Sequence, residues 1–277
     1  MKDFFDKFPA CDICLDKVCN KTEHKCNCST CNVFKECPKR LSATIRITLK
    51  CTQSCSHCCY ECSPNNDIHM SIETSLKISK FIKNNGVYSL NVMGGEIFCN
   101  PNYKDILLNI IPVAQVVRIV SNGDWAAIDD DFAKFLSQFD NIYVSISKDS
   151  FHHNINNEKA KEYLTKYNIK TFESTLKEKE EDMIPIGRSM FTYGRYSMFG
   201  TYCSNPDKKY SFLIDEEGDI YKCGFGCWKY ENVENYLESG FREVFKEINT
   251  RFYGVFIPSC RSCIRSYQNN IIKKPTT

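Results

Sequence analysis

Three cysteines, Cys51, Cys55 and Cys58, stand in a C-x3-C-x2-C pattern directly after a short apolar, β-branched run at 43–49. Thiolates this close together cannot all pair with one another as disulfides. They can wrap one face of a 4Fe-4S cluster, which needs soft sulfur ligands. Three protein ligands on such a cubane leave one iron open. A zinc site or a chance cysteine cluster is the alternative at this level. The register is ambiguous, because Cys55, Cys59 and Cys62 repeat the spacing. The first register is preferred: Cys51 then falls at the carboxyl end of a strand, where barrel-type folds build their sites.

Gly94-Gly95-Glu96 follows a second apolar run at 87–93. Paired glycines let a backbone approach a ligand closely, and the glutamate offers a carboxylate to an ammonium group. Taken together, the cysteine motif, with His57 just before its third cysteine, and the Gly-Gly-Glu segment resemble the radical SAM superfamily. The resemblance implies that the open iron holds the amino and carboxylate groups of S-adenosylmethionine (SAM). It implies reductive cleavage of SAM to a 5′-deoxyadenosyl radical that removes a hydrogen atom from substrate, with a flavodoxin- or ferredoxin-type reductant. Glu96, with Gly94 and Gly95, would hold the methionine ammonium, and His57 would lie near the adenine. Ser121 and Asn122 after a third strand, and Ser145 and Ser147 at the end of a fourth, match positions that contact SAM in family members. Each hydroxyl by itself reads as turn chemistry. Arg188, in a Pro-x-Gly-Arg segment at 185–188, is expected to pair a carboxylate of SAM or substrate, or to form a surface ion pair.

A second cysteine set lies toward the C-terminus. Cys203 is followed by fourteen residues, Gly218, four residues and Cys223, and later by Cys260-x2-Cys263. This resembles the twitch form of the SPASM auxiliary domain, with one auxiliary 4Fe-4S cluster held by four cysteines. Cys227 is a rival ligand, and a zinc site on the same four is the alternative. A fully ligated auxiliary cluster implies electron transfer from the substrate radical, hence a two-electron oxidation. The preferred substrate is a small polar or sugar-like metabolite, because an arm of 42 residues is too short for a winged-helix peptide-recognition domain. Modification of a peptide or protein is the alternative, and a non-catalytic iron–sulfur protein the third reading.

Residues 1–42 carry seven cysteines and few apolar residues, so they cannot bury a core of their own. Cys11-x2-Cys14 and Cys28-x2-Cys31, thirteen residues apart, have the spacing of a structural zinc site. A further iron–sulfur cluster fits as well, and a metal-free arm is the plain alternative. His152 and His153, after the fourth strand, could shuttle protons, although a loop histidine more often makes an ordinary hydrogen bond.

Strands are expected at 43–49, 87–93, 116–120, 142–146 and 169–174, with a sixth at 183–186. Helices are expected at 71–85, with Ile72, Leu76, Phe81 and Ile82 on one face, and at 102–111, 129–139 and 158–167. This alternation predicts an α/β fold with a parallel sheet. Five or six strands are too few for a closed eight-stranded barrel, so an open, partial (β/α)6 barrel is expected. A hairpin around Gly218 and a helix at 235–250 would form a small C-terminal auxiliary-cluster domain. The expected divisions are a cysteine-rich arm at 1–42, the partial barrel at 43–195, the auxiliary domain at 196–268 and a tail at 269–277. A net charge of +2 offers no electrostatic case for nucleic acid or anionic membrane. No apolar run reaches spanning length. Eighteen cysteines without a recognisable export signal point to metal ligation in a reducing cytoplasm.

Overall fold

The computed structural model describes residues 41–174, 188, 211–221 and 229–241. In chain order these hold β1 (Leu41–Arg46), α1 (Ile72–Asn84), β2 (Val87–Met93), α2 (Tyr103–Ile110), β3 (Val116–Ser121), α3 (Asp131–Leu136), β4 (Ile142–Ser147), α4 (Asn157–Lys166) and β5 (Thr171–Ser174). Three further strands are β6 (Ser211–Ile214), β7 (Asp219–Tyr221) and β8 (Lys229–Asn232). All eight form one sheet in the order β5-β4-β3-β2-β1-β6-β7-β8. Neighbours from β5 through β1 to β6 are parallel, and β6-β7-β8 are antiparallel.

Alternation along β1 to β3 sorts side chains between the two faces. Leu41, Ala43 and Ile45 of β1 are fully buried with the helical core, whereas Ser42, Thr44 and Arg46 are half-buried. On that second face Thr44, Asn91, Arg118 and Tyr143 stand in register across β1 to β4. The face away from the helices is therefore polar.

Helix α1 starts as expected: the Ser71 hydroxyl accepts the Thr74 N–H at 3.0 Å, an N-cap. It ends before Gly86, whose φ of 62° is left-handed. Its buried face is Ser75, Ile78, Phe81 and Ile82, whereas Ile72 and Leu76 are exposed. Phe81 meets Phe241 at 4.9 Å and Phe212 at 6.1 Å, so the helix packs on β6 and the segment after β8.

Other expectations shift. Strand β1 ends at Arg46 rather than at 49. Beyond it the backbone bonds alternately to the end of β2 (Ile47 N–H to Met93 O, 2.9 Å) and to 63–70 (Leu49 N–H to Ile68 O, 2.9 Å). Helix α3 is shorter than 129–139, and Asp129 accepts the Asp131 N–H in front of it. A 3-10 turn at Asp124–Ala127, with Trp125 buried, was not anticipated. The hairpin around Gly218 is present, but its first strand pairs parallel to β1 and extends the main sheet. The helix expected from 235 does not start there: Val233–Tyr236 is a 3-10 turn and Gly240 takes a φ of 95°. The expected strand at 183–186, the remainder of the 235–250 helix, the cysteine arm and Cys203, Cys223, Cys227, Cys260 and Cys263 lie outside the described residues.

Asn85 ties α1 to the segment after β8. Its amide donates to Tyr236 O at 2.7 Å and Phe81 O at 3.0 Å, and its carbonyl accepts the Phe241 N–H at 3.1 Å. Asn85→Ala strands a buried donor and acceptor, so it is expected to cost about 2–4 kcal/mol. The check is a lower urea midpoint at unchanged m-value.

Candidate active site

The site begins where the end of β2 meets the root of the cysteine loop. The Gly95 N–H donates to Thr48 O at 2.7 Å, and the Glu96 N–H to Lys50 O at 2.9 Å. A Cβ on Gly94 would stand 2.8 Å from Thr48 Cγ2, and one on Gly95 2.2 Å from Lys50 O and 2.8 Å from Cys51 Cβ. The glycines thus have a role beyond the expected approach to a ligand. They let two stretches of the chain's own backbone touch, which any side chain would prevent.

This contact buries Glu96 completely. Its Oε1 accepts the Ile97 N–H at 3.2 Å and its Oε2 the Asn122 N–H at 2.7 Å, with the Ser121 hydroxyl also bonded to it. Burial pushes the carboxyl up to about 7, against the pull of those donors. Asn122 turns back to the cysteine loop, its amide reaching Thr52 Oγ1 at 3.0 Å and Cys51 Sγ at 3.8 Å. Asp124, which the sequence reading missed, accepts the Thr52 hydroxyl at 2.6 Å and the Gln53 amide at 2.8 Å through Oδ2. Its other oxygen takes the Asn156 amide at 3.0 Å. The available signal was an acid two residues after Asn122, opening an unpredicted turn.

The described cysteines, at 51, 55, 58, 59, 62 and 99, form no disulfide with one another. Cys51 is buried, and its Sγ receives the Gln53 N–H at 3.4 Å. Burial pushes Cys51 up to about 12 and Cys55 up to about 11. The Cys62 thiol donates to Cys58, pulling Cys58 down to about 6, and Cys62 itself is pushed up. Arg188 holds the loop: its N–H meets Cys58 O at 3.0 Å, its Nε meets Cys55 O at 2.8 Å, and its Nη2 bonds Cys62 O. The sequence leaves Arg188 to a carboxylate of SAM or substrate or to a surface ion pair, and its bonds to the loop's carbonyls are a further role that the sequence does not suggest. Three thiols on a pinned loop, with N–H groups on Cys51 Sγ, suit a metal cluster that needs soft anionic sulfur.

The loop after β4 closes the other side. His57 lies against Phe151 at 5.0 Å and His152 at 4.9 Å between ring centroids. Burial, and then the neighbouring His152, pull His57 down to about 4. The His153 N–H donates to Gln53 Oε1 at 3.2 Å. Ser145 is buried on β4 and accepts Arg118 Nη2 at 2.8 Å, while Ser147 ends the strand half-buried. Tyr60 packs under the Arg46 guanidinium, 4.8 Å from its ring centroid, and Phe98 packs on the core.

Residues 45–188 match the family described as the Radical SAM superfamily. No curated protein matches the chain. Among solved structures, SuiB of Streptococcus suis bound to S-adenosylmethionine is 15% identical at a TM-score of 0.52, covering 70% of this chain and 64% of SuiB. The chain therefore spans less than two thirds of SuiB. SuiB bound to the precursor peptide SuiA is 14% identical at a TM-score of 0.52, covering 75% of this chain and 64% of SuiB. Native anSMEcpe with bound AdoMet and a Cp18Cys peptide is 16% identical at a TM-score of 0.51, covering 77% and 82%. At these identities the likeness is one of fold. Among the described residues no helix is long and apolar enough to cross a membrane.

Two outcomes are expected here. Gly95→Ala, which drives a Cβ into Lys50 O, should prevent the cysteine loop from docking; iron bound after anaerobic reconstitution should fall several-fold. Glu96 binds a proton in the folded state that the unfolded chain, titrating near 4.5, does not hold up to about 7. Its protonation therefore favours folding at low pH, and that contribution is lost as pH rises across this window. In metal-free reduced protein, the urea midpoint of Glu96→Gln should vary less between roughly pH 5 and 7 than that of the wild type.

Proposed function

Because this chain belongs to the radical SAM superfamily, we propose that it is an enzyme using a 4Fe-4S cluster on Cys51, Cys55 and Cys58 to cleave SAM and oxidise a polar substrate by two electrons. When bound, the cluster and SAM supply a reducing electron and a 5′-deoxyadenosyl radical able to remove a hydrogen atom from carbon. The observation that carries the reading is the docking of Gly94-Gly95-Glu96 directly on the root of the cysteine loop. It brings a buried carboxylate and a set of thiols to the carboxyl end of a parallel sheet, where α/β folds build ligand sites.

The chain's own residues have distinct tasks in this proposal. Glu96, held by the Asn122 and Ile97 N–H groups, takes the ammonium of SAM, which offsets the cost of a buried carboxylate. Asn122 and the Gln53 N–H direct donors at Cys51 Sγ and favour its thiolate. Arg188 keeps the loop's carbonyls, and with them the cysteines, in place. Ser121 orients Glu96, and Ser145 and Ser147 on β4 stand below as candidate partners for SAM hydroxyls. The polar row Thr44, Asn91, Arg118 and Tyr143 lines a face suited to a small polar or sugar-like molecule. In the proposed scheme Cys203, Cys223, Cys260 and Cys263 hold an auxiliary cluster that accepts the second electron, and Cys11, Cys14, Cys28 and Cys31 hold zinc or a further cluster.

A peptide or protein substrate is the second reading. It is favoured by two structures of the same fold with bound peptides: SuiB with its precursor peptide, and anSMEcpe with a Cp18Cys peptide.

Anaerobically reconstituted protein incubated with SAM and dithionite should release 5′-deoxyadenosine, measured by liquid chromatography. Cys55→Ala should abolish it. Cys51→Ala should do the same, whereas retained cleavage would assign the cluster to Cys55, Cys59 and Cys62. Cys223→Ala should keep SAM cleavage and lose substrate turnover. An iron count of about eight per chain fits two cubanes; a count of about four sinks the auxiliary cluster.

A further inference from the structure

Two arginines stand on the face of the sheet away from the helices, and their charges are met differently. Arg46 is neutralised: its Nε and Nη2 donate to the Glu216 carboxylate at 2.7 and 2.9 Å. Arg118, half-buried on β3, has no carboxylate partner among the described residues. Its Nη2 donates to Ser145 Oγ at 2.8 Å, a neutral acceptor, and the rest of the fork is open there. Strands β1 to β4 contain no acidic residue that could pair with it. Thr44 and Asn91, in the same row, make no side-chain hydrogen bond among the described residues. A guanidinium drawn out of water among neutral groups is costly until an anion joins it. The direction of the side chain adds to this. Arg118 stands opposite Tyr143 in the register, yet its guanidinium reaches Ser145, which is opposite Val120. It therefore leans two residues, about 7 Å, toward the carboxyl ends of the strands, where the cysteine loop docks. Next to it in the sheet, Tyr143 packs edge-on against Phe172 of β5, with ring centroids 5.6 Å apart.

We propose that Arg118 is the receptor for an anionic group of the substrate, a carboxylate or a phosphate. A planar guanidinium fork binds either group through two parallel hydrogen bonds. Asn91 and Thr44 offer neutral donors and acceptors to adjoining hydroxyls. An anion anchored at Arg118 leaves the remainder of the molecule directed toward the carboxyl ends of the strands. The substrate class is thereby narrowed from a polar molecule to a small polar acid. That an oxyanion binds this fork stands on the geometry alone. That the oxyanion belongs to the substrate rests on the radical SAM reading.

Phenylglyoxal, which condenses with accessible guanidinium groups, tests the site on the wild-type chain. Full-length protein with reconstituted clusters is labelled anaerobically, and each arginine is followed by peptide mass spectrometry. Arg118 should react, and benzoate or inorganic phosphate should each slow it about fivefold or more. Benzamide, close to benzoate in shape but uncharged, should leave the rate unchanged. The rate at Arg46, already held by Glu216, should respond to neither anion. Protection by the anions should persist with saturating SAM; its loss there assigns the fork to the cofactor's carboxylate and overturns the proposal. Failure of both anions to protect, or equal protection by benzamide, overturns it as well. In equilibrium dialysis at equal iron content, Arg118→Met should bind labelled benzoate about tenfold more weakly, with Arg118→Lys in between. Variants that bind as tightly as the wild type would sink the site. Assay of 5′-deoxyadenosine on the same wild-type samples separates the two claims. A protected Arg118 without SAM cleavage counts against the radical SAM reading and leaves the anion site standing; cleavage without protection does the reverse.

Discussion

The rest of the structure depends on a backbone-to-backbone approach, the end of β2 against residues 48–51. Hydrogen bonds from Gly95 to Thr48 and from Glu96 to Lys50 require that no Cβ stand between the two stretches. At Gly95 the clearance for a side chain is 2.2 Å, to a carbonyl oxygen that cannot move aside. The approach fixes the height of Cys51 above the sheet and sets Glu96 behind it. The contact then propagates, because Glu96 accepts from Asn122 at the end of β3, and Asn122 and Asp124 reach back to Cys51, Thr52 and Gln53. Strands β1, β2 and β3 thereby hold one loop from three sides.

That loop is stabilised by polar bonds rather than by apolar burial. Side-chain amides and carboxylates span it repeatedly: Asn100 meets Ile47 O and Met70 O, Gln53 meets Asp124, and Arg188 meets the carbonyls of Cys55 and Cys62. A satisfied buried network specifies one conformation, since each alternative strands a donor or acceptor. The same burial makes free thiolates costly, and Cys51 and Cys55 are both pushed well above the ordinary thiol range. At Cys51 and Cys55, where burial raises the thiol, deprotonation is driven by metal.

Much of the scaffold could be read from local pattern. Strand β2 and the Ser71 cap of α1 fall where alternation and capping chemistry place them. The hairpin at Gly218 follows from its turn residues, with a φ of 84° at the glycine. Errors occur where a distant partner overrides local preference. The β-branched run after Arg46 leaves the strand because residues 63–70 compete for its backbone groups. Leu76 is exposed although periodicity placed it inside, because Phe212 and Phe241 draw the helix toward Phe81. Gly240, with a φ of 95°, separates the 3-10 turn at Val233–Tyr236 from Phe241, and the rest of the helix expected over 235–250 lies outside the described residues.

What the sequence determined by itself was the chemistry at hand: soft ligands at cluster spacing, glycines at a strand end, an acid beside them. Residue type and short spacing carry such information, because ligand softness and steric size belong to single side chains. What tertiary structure decided was the partner of each group. Arg188 finds Cys55 across 133 residues, Asp124 finds Gln53 across 71, and Asn122 finds Glu96 across 26. Hydrogen bonds across such separations exist only once the sheet has brought its carboxyl ends together, so no local pattern encodes them.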